Sequence, residues 1–137
     1  MVLLDTNVLS ELRRRSRTDP RVAAWADSVQ PSDLFLSAIT ILEIEAGTLM
    51  LQRRDAERGA ILRAWIDGAV LPAFEGRILS VDTDVAQCCA GLHVPNRRAE
   101  RDALIAATAI VHRMSIATRN VVDFQPMGVN LINPWAW

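Results

Sequence analysis

Lysine is missing from this sequence: all 15 basic residues among its 137 are arginines. A Walker phosphate loop, a Schiff-base enzyme and a response-regulator receiver each need a lysine, so all three are excluded. Cysteine is scarce. Cys88 and Cys89 are adjacent, and neighbours in sequence do not close an ordinary disulfide. Two thiols cannot build a disulfide framework, which points to a reducing, cytosolic setting. No apolar run approaches the ~18 residues needed to span a bilayer. The opening Met1-Val2-Leu3-Leu4-Asp5 has no basic leader, so a soluble, cytoplasmic protein with no membrane partner is expected. Excess charge is missing too: 15 basic against 16 acidic residues give a formal net charge of -1. Bulk charge therefore cannot drive binding to a polyanion, and any nucleic acid must be met by a local arrangement.

Half of the residues are hydrophobic and 23% are charged, which is the range of folded domains and not of disordered chains. A chain of this length can bury roughly 70% of the surface its unfolded form exposes. There is no repeat, low-complexity stretch or linker, and one domain over residues 1–137 is expected.

Short apolar runs alternate with helical patterns. Strands are predicted at Val2–Leu4, Leu34–Ser37, Ile78–Val81 and Ile116–Thr118, with a short fifth at Leu131–Ile132. Helices are predicted after Thr6 or Asn7, from Pro20, from Thr40, from Asp55 to Pro72, over 84–92 and over 101–112. Buried strands separated by helices imply an α/β fold with a parallel sheet covered on both faces. The carboxyl ends of such strands share one edge, and ligands bind in the crevice outside it.

The residues predicted at that edge carry the chemistry. Asp5, Ser37, Asp82 and Thr118-Arg119-Asn120 follow strands. Glu43 and Asp102 lie near helix starts, and Asp123 follows a short turn. Asp5, Glu43, Asp102 and Asp123 can thus converge although distant in sequence. Each alone has a plain alternative, as a helix cap, a dipole partner or a turn residue. Together, with no lysine among them, they repel one another and stay ionised only beside a cation. Oxygen-only ligands select Mg2+, with Mn2+ as a substitute, over zinc.

Four segments resemble those of PIN domains. Leu3-Leu4-Asp5-Thr6-Asn7-Val8-Leu9-Ser10-Glu11-Leu12 is similar to their opening, and Ser37-Ala38-Ile39-Thr40 leading to Glu43-Ile44 to their second motif. Arg101-Asp102-Ala103-Leu104-Ile105-Ala106-Ala107-Thr108-Ala109 resembles the third, and Thr118-Arg119-Asn120-Val121-Val122-Asp123-Phe124 the fourth. Their order and spacing span nearly the whole chain. Within the PIN domains the sequence most resembles the VapC-type toxins of bacterial toxin–antitoxin pairs, the group related to FitB.

That resemblance implies a three-layer α/β/α sandwich around a mostly parallel sheet of four to five strands. It also implies Mg2+-dependent ribonuclease activity and a VapB-like antitoxin as partner. A homodimer is implied, with a heterotetramer or larger assembly with antitoxin, and promoter DNA is met only through the antitoxin. The acidic quartet of the family falls on Asp5, Glu43, Asp102 and Asp123, with Asp5 and Asp102 as the principal metal ligands. Glu43 is then a ligand or a base, and Thr6, Asn7, Thr118 and Asn120 are supporting polar groups. One departure is Glu45, two residues after Glu43. Positions two apart on a helix differ by about 200°, so only one of the pair can face a metal, and Glu45 is expected to face solvent or a partner.

RNA needs positive charge near an anionic site. Arg97, Arg98, Arg101 and Arg119 flank the third and fourth motifs and are candidate RNA contacts. Arg13, Arg14 and Arg15 are expected to be solvated helix-end charges, as are His93 and His112. Trp25 and Trp65 are expected on core-facing helix sides, and Trp135 and Trp137 against the domain or a second subunit. Two other readings stay open, a structure-specific DNA nuclease and a non-catalytic binding module. A phosphatase of the haloacid dehalogenase type is disfavoured: it expects an acid two residues after Asp5, where Asn7 stands, and a lysine.

Overall fold

Val2–Leu4 (β1) pairs with Leu34–Ser37 (β2) on one side and Ser115–Ala117 (β4) on the other. Ile78–Leu79 (β3) extends the sheet beyond β2, and Leu131–Ile132 (β5) extends it beyond β4. The computed structural model describes residues 1–137, and its five strands are all parallel in the order β3-β2-β1-β4-β5. β1 is central because both faces of its run are apolar. Leu3 joins a core with Ile105, Ile116 and Phe124, whereas Val2 and Leu4 join one with Val8, Trp25, Leu36 and Ile66. Alternate side chains of a strand point to opposite faces, so one strand supplies two cores.

Helices cover both faces. Thr6–Glu11 (α1), Pro20–Ser28 (α2) and the turn at Ile66–Val70 contribute to the Trp25 core. Thr83–Leu92 (α6) and Glu100–Val111 (α7) pack together over the Phe124 core. Ala38–Arg54 (α3) contributes Ile39 to one core and Ile44 to the other. The result is the expected α/β/α sandwich.

Local chemistry explains most boundaries. The side chains of Asp5, Asp19, Ser37, Asp55 and Asp82 accept hydrogen bonds from amides at the starts of α1, α2, α3, Ala56–Trp65 (α4) and α6, as N-caps do. Two expectations are corrected. Strand β3 ends at Leu79, because Ser80 and Val81 are exposed and the chain turns into the Asp82 cap. The helix after Asp55 does not stop by Pro72. It widens into a π-turn at Ile66–Val70 and continues as Leu71–Ala73 (α5). Pro72 sits in the first turn of α5, where its missing N–H is tolerated.

The chain leaves β1 for β2 and β3, then returns to the other side of β1 for β4 and β5. The reversal lies between β1 and β4, and the edge beyond their carboxyl ends is the crevice where sheets of this topology bind ligands.

Candidate active site

Asp5 stands at that crevice. Its carboxylate is almost fully buried. Oδ1 accepts from the Thr6 amide at 2.8 Å. Oδ2 accepts from Thr118 Oγ1 at 2.8 Å and Asn7 Nδ2 at 3.2 Å. Thr118, completely buried just past β4, therefore ties the ends of β1 and β4 together. Burial pushes the Asp5 carboxyl above its ordinary value; the bonds from Thr118, Thr6 and Asn7 oppose this, and nearby Glu43 reinforces it.

Glu43 is half-buried in the second turn of α3. Its Oε1 accepts from Thr6 Oγ1 at 2.7 Å. Thr6 Oγ1 also lies 3.3 Å from Thr40 Oγ1. A hydroxyl has one hydrogen. Thr6 gives its hydrogen to the carboxylate, so the buried Thr40 hydroxyl donates to Thr6. The chain Thr40, Thr6, Glu43 fixes the carboxylate from behind. On the other side, Arg101 Nη1 lies 3.9 Å from Glu43 Oε2 and offsets part of its charge.

Asp102 occupies the first turn of α7 and Asp123 the first turn of Val121–Phe124 (α8). Asp102 is half-buried and Asp123 is exposed. The Asp102 carboxyl is pushed above its ordinary value, first by burial and then by the charges of Asp5, Asp123 and Glu43. That mutual repulsion is the electrostatic mark of four acids sharing one crevice. The oxygen-only donor set fits a hard divalent cation such as Mg2+ or Mn2+.

Other predicted residues take different places. Asn120 is exposed; its amide donates to Thr118 Oγ1 at 2.9 Å, while its side chain makes no hydrogen bond within the chain. The Arg119 amide donates to Asn7 Oδ1 at 3.2 Å, and its guanidinium lies over the Trp135 ring, 5.1 Å from the centroid. Trp135 is thus packed within the domain, while Trp137 is exposed. Arg97 is exposed, and the Arg98 amide is held by His93 Nδ1 at 3.0 Å. Asp82 only caps α6 at the sheet margin. Glu45 turns from the crevice to a partly exposed place on the other side of α3, where Arg63 of α4 grips it with two bonds of 2.7 Å and also reaches Asp67. Trp65 packs against the Trp25 core, as expected, and its half-exposed face walls a groove.

Sequence reasoning missed two features. Thr40 is three residues before Glu43 and hence on the same helix side, a hydroxyl within an apolar stretch. His93 is more than a helix-end charge. Its Nε2 lies 3.7 Å from Cys89 Sγ and 3.4 Å from Glu100 Oε2. Because Nδ1 accepts from Arg98, the neutral ring keeps its proton on Nε2, so the trio reads as a clasp between α6 and α7, not as a metal site. Beside Glu43 opens a groove of about 210 Å3, lined by Thr6, Ser10, Arg13, Glu43, Leu62 and Trp65 among others.

Residues 2–125 match the PIN domain. The chain is 38% identical to toxin FitB of Neisseria gonorrhoeae over 98% of this chain and 99% of that one. It is 37% identical to a VapC ribonuclease of Sinorhizobium fredii over 98% of each chain. The crystal structure of FitAcB from Neisseria gonorrhoeae superposes with a TM-score of 0.90 at 37% identity, covering 100% of both chains.

Proposed function

The chain belongs to the PIN-domain family, in the group of VapC and FitB toxins, and we propose that it is a Mg2+-dependent endoribonuclease acting as the toxin of a type II toxin–antitoxin pair. The observation that carries this reading is the gathering of Asp5, Glu43, Asp102 and Asp123 at one sheet edge, where Asp102 is raised first by burial and then by the charges of the other three, with no lysine in the chain to offset them.

Asp5 and Asp102 are the principal ligands of the cation, and Asp123, the most exposed acid, completes the site. A divalent cation held there supplies Lewis acidity, polarising a phosphate oxygen and acidifying a water. Thr118, Asn7 and the Thr6 amide hold Asp5 with its second Oδ1 lone pair free. Glu43, aimed by Thr6, is placed to take a proton from an attacking water or to serve as a further ligand. Arg101, 3.9 Å from Glu43, and Arg119, next to Thr118 in sequence, would oppose the repulsion between the acids and RNA.

The partner is a VapB-like antitoxin, a reading supported by the likeness to toxin FitB and to the FitAcB structure. A cationic side chain from it, set among the four acids, would replace the metal's charge and silence the enzyme. The working unit is one domain over residues 1–137, a homodimer that assembles further with antitoxin, met in the cytoplasm. No helix is long and apolar enough to cross a membrane.

Purified protein should cut single-stranded RNA in Mg2+ or Mn2+, stop in EDTA, and lose cleavage on Asp102→Asn without unfolding. Metal-dependent cutting of structured DNA but not RNA would replace the ribonuclease reading with a DNA nuclease. Cation-independent binding without cleavage would leave only a binding module.

A further inference from the structure

The groove beside Glu43 leads to a second, differently charged place. Arg13 and Leu62 line the groove and also a neighbouring hollow of about 90 Å3, whose other walls are Arg14, Leu51, Arg58 and Ile61. Its polar lining is thus three guanidinium groups from two elements, the segment after α1 and the first turns of α4. None of the three forms an ion pair with an acid of the chain, whereas Arg15, next in sequence, pairs with Asp27. The cluster is close enough to be felt. The Arg13 guanidinium is pushed below its ordinary value, first by burial and then by the charges of Arg14 and Arg58. Arg13 is also held in place, with its guanidinium 6.0 Å from the centroid of the Trp65 ring. Unpaired like charges around a small hollow are unfavourable until an anion enters. Guanidinium groups match a phosphate, whose oxygens accept their forked N–H donors.

We propose that the hollow between Arg13, Arg14 and Arg58 is a second phosphate site, holding a backbone phosphate of the RNA strand whose scissile bond lies at the carboxylate cluster. This rests on the ribonuclease reading above and extends it. Continuity favours RNA over an acidic peptide. The strand must already pass Glu43 to be cut, and the groove from Thr6 and Glu43 to Arg13 offers it a path. Trp65, on the wall of that path, gives an exposed base a face to stack on. The expectation that Arg13 and Arg14 are merely solvated is revised, and the inference extends the RNA face beyond Arg101 and Arg119 to the opposite flank of Glu43.

The test is binding of a labelled single-stranded RNA in EDTA, where metal-dependent cleavage cannot proceed, followed by fluorescence anisotropy over a salt series. Arg14 and Arg58 are exposed, so the Arg14→Gln/Arg58→Gln double variant keeps its fold. Its affinity should fall on the order of tenfold at low salt, and its slope against log salt should be shallower by about 0.7, the share of one phosphate on a single strand. Arg113→Gln, on the turn after α7, should leave the slope unchanged. A dinucleotide too short to reach the hollow should be cut by the double variant at the wild-type rate. An unchanged slope in the double variant, with wild-type protein still cutting RNA, overturns the phosphate site and leaves the ribonuclease reading standing. Loss of poly-glutamate binding with an unchanged RNA slope also overturns it and makes the hollow an acidic-peptide dock. Wild-type protein that neither binds nor cuts RNA removes both.

Discussion

At Asp102 the fold works against its own side chain. The carboxyl accepts no hydrogen bond within the chain, yet it is half-buried and faces three other acids. A carboxyl whose folded value is raised contributes stability that is complete below the unfolded value and lost as pH rises through the folded one. In EDTA, therefore, Asp102 weakens the fold from the upper carboxylate range to neutrality. Asp102→Asn should raise the melting temperature of EDTA-treated protein by roughly 1–3 °C at neutral pH, with the gain vanishing in acid. Thermal denaturation across pH checks this, and a variant less stable than wild type at neutral pH would contradict it. Thr40 makes the opposite case, a residue that positions Glu43, the proposed base or ligand, through Thr6. Thr40→Val removes the donor behind Thr6 and should cost about 1 kcal/mol of stability. It also frees Thr6 to turn from Glu43, so turnover should fall on the order of tenfold with KM little changed. Thr40→Ser keeps the hydroxyl and should restore turnover, which a simple packing role would not require.

The pairing of α3 with α4 decides where Glu43, the groove and the arginine hollow sit. Gly59 sets how closely the two helices approach. An alanine there is favoured by helix propensity by about 1 kcal/mol. Its Cβ, however, would lie 2.3 Å from Gln52 Cγ and 2.6 Å from Gln52 Cα. The side chain can swing away, but the backbone cannot, and overpacking of this kind costs about 1–3 kcal/mol. The clash wins, so Gly59→Ala should destabilise by roughly 1–2 kcal/mol in urea unfolding, whereas Gly91→Ala on α6, with open space around it, should not. Elements of this kind divide into those readable from sequence and those that are not. β1, β2 and β4 stand out because strands buried on both faces are continuous apolar runs, and Asp5, Ser37 and Thr118 at their carboxyl ends announce caps and a site. β3 is shorter than its apolar run because Ser80 and Val81 have already passed the sheet. Glu45 could be turned away from Glu43 by helical spacing alone, but Arg63 lies 18 residues on, in another helix whose approach depends on Gly59. The π-turn before Pro72 follows from how α4 meets the core, which no local pattern encodes.

Over the whole molecule, the strand order brings together groups that sequence separates. Thr118 bonds Asp5 across 113 positions because β4 and β1 are neighbours at the point where the sheet reverses. The four acids belong to four separate segments, so their crevice exists only in the folded chain. A cation bound there is bound by the fold and not by the unfolded state, and it must stabilise the protein by mass action. At 100 times its dissociation constant it contributes about 2.7 kcal/mol, which for a chain of this length raises the melting temperature by roughly 10 °C. The effect depends on pH in a set direction. Asp5 and Asp102 hold protons to higher pH than ordinary carboxyls, and a cation must displace those protons. The Mn2+-induced gain should therefore be full near neutrality and decline as pH falls through the raised carboxyl values, opposite in sign to the EDTA-treated protein's own trend. Paired melting curves with Mn2+ and with EDTA over pH would display the crossing. Curves that coincide at every pH would mean that the acids repel one another without a cation to hold, and the crevice would need another explanation.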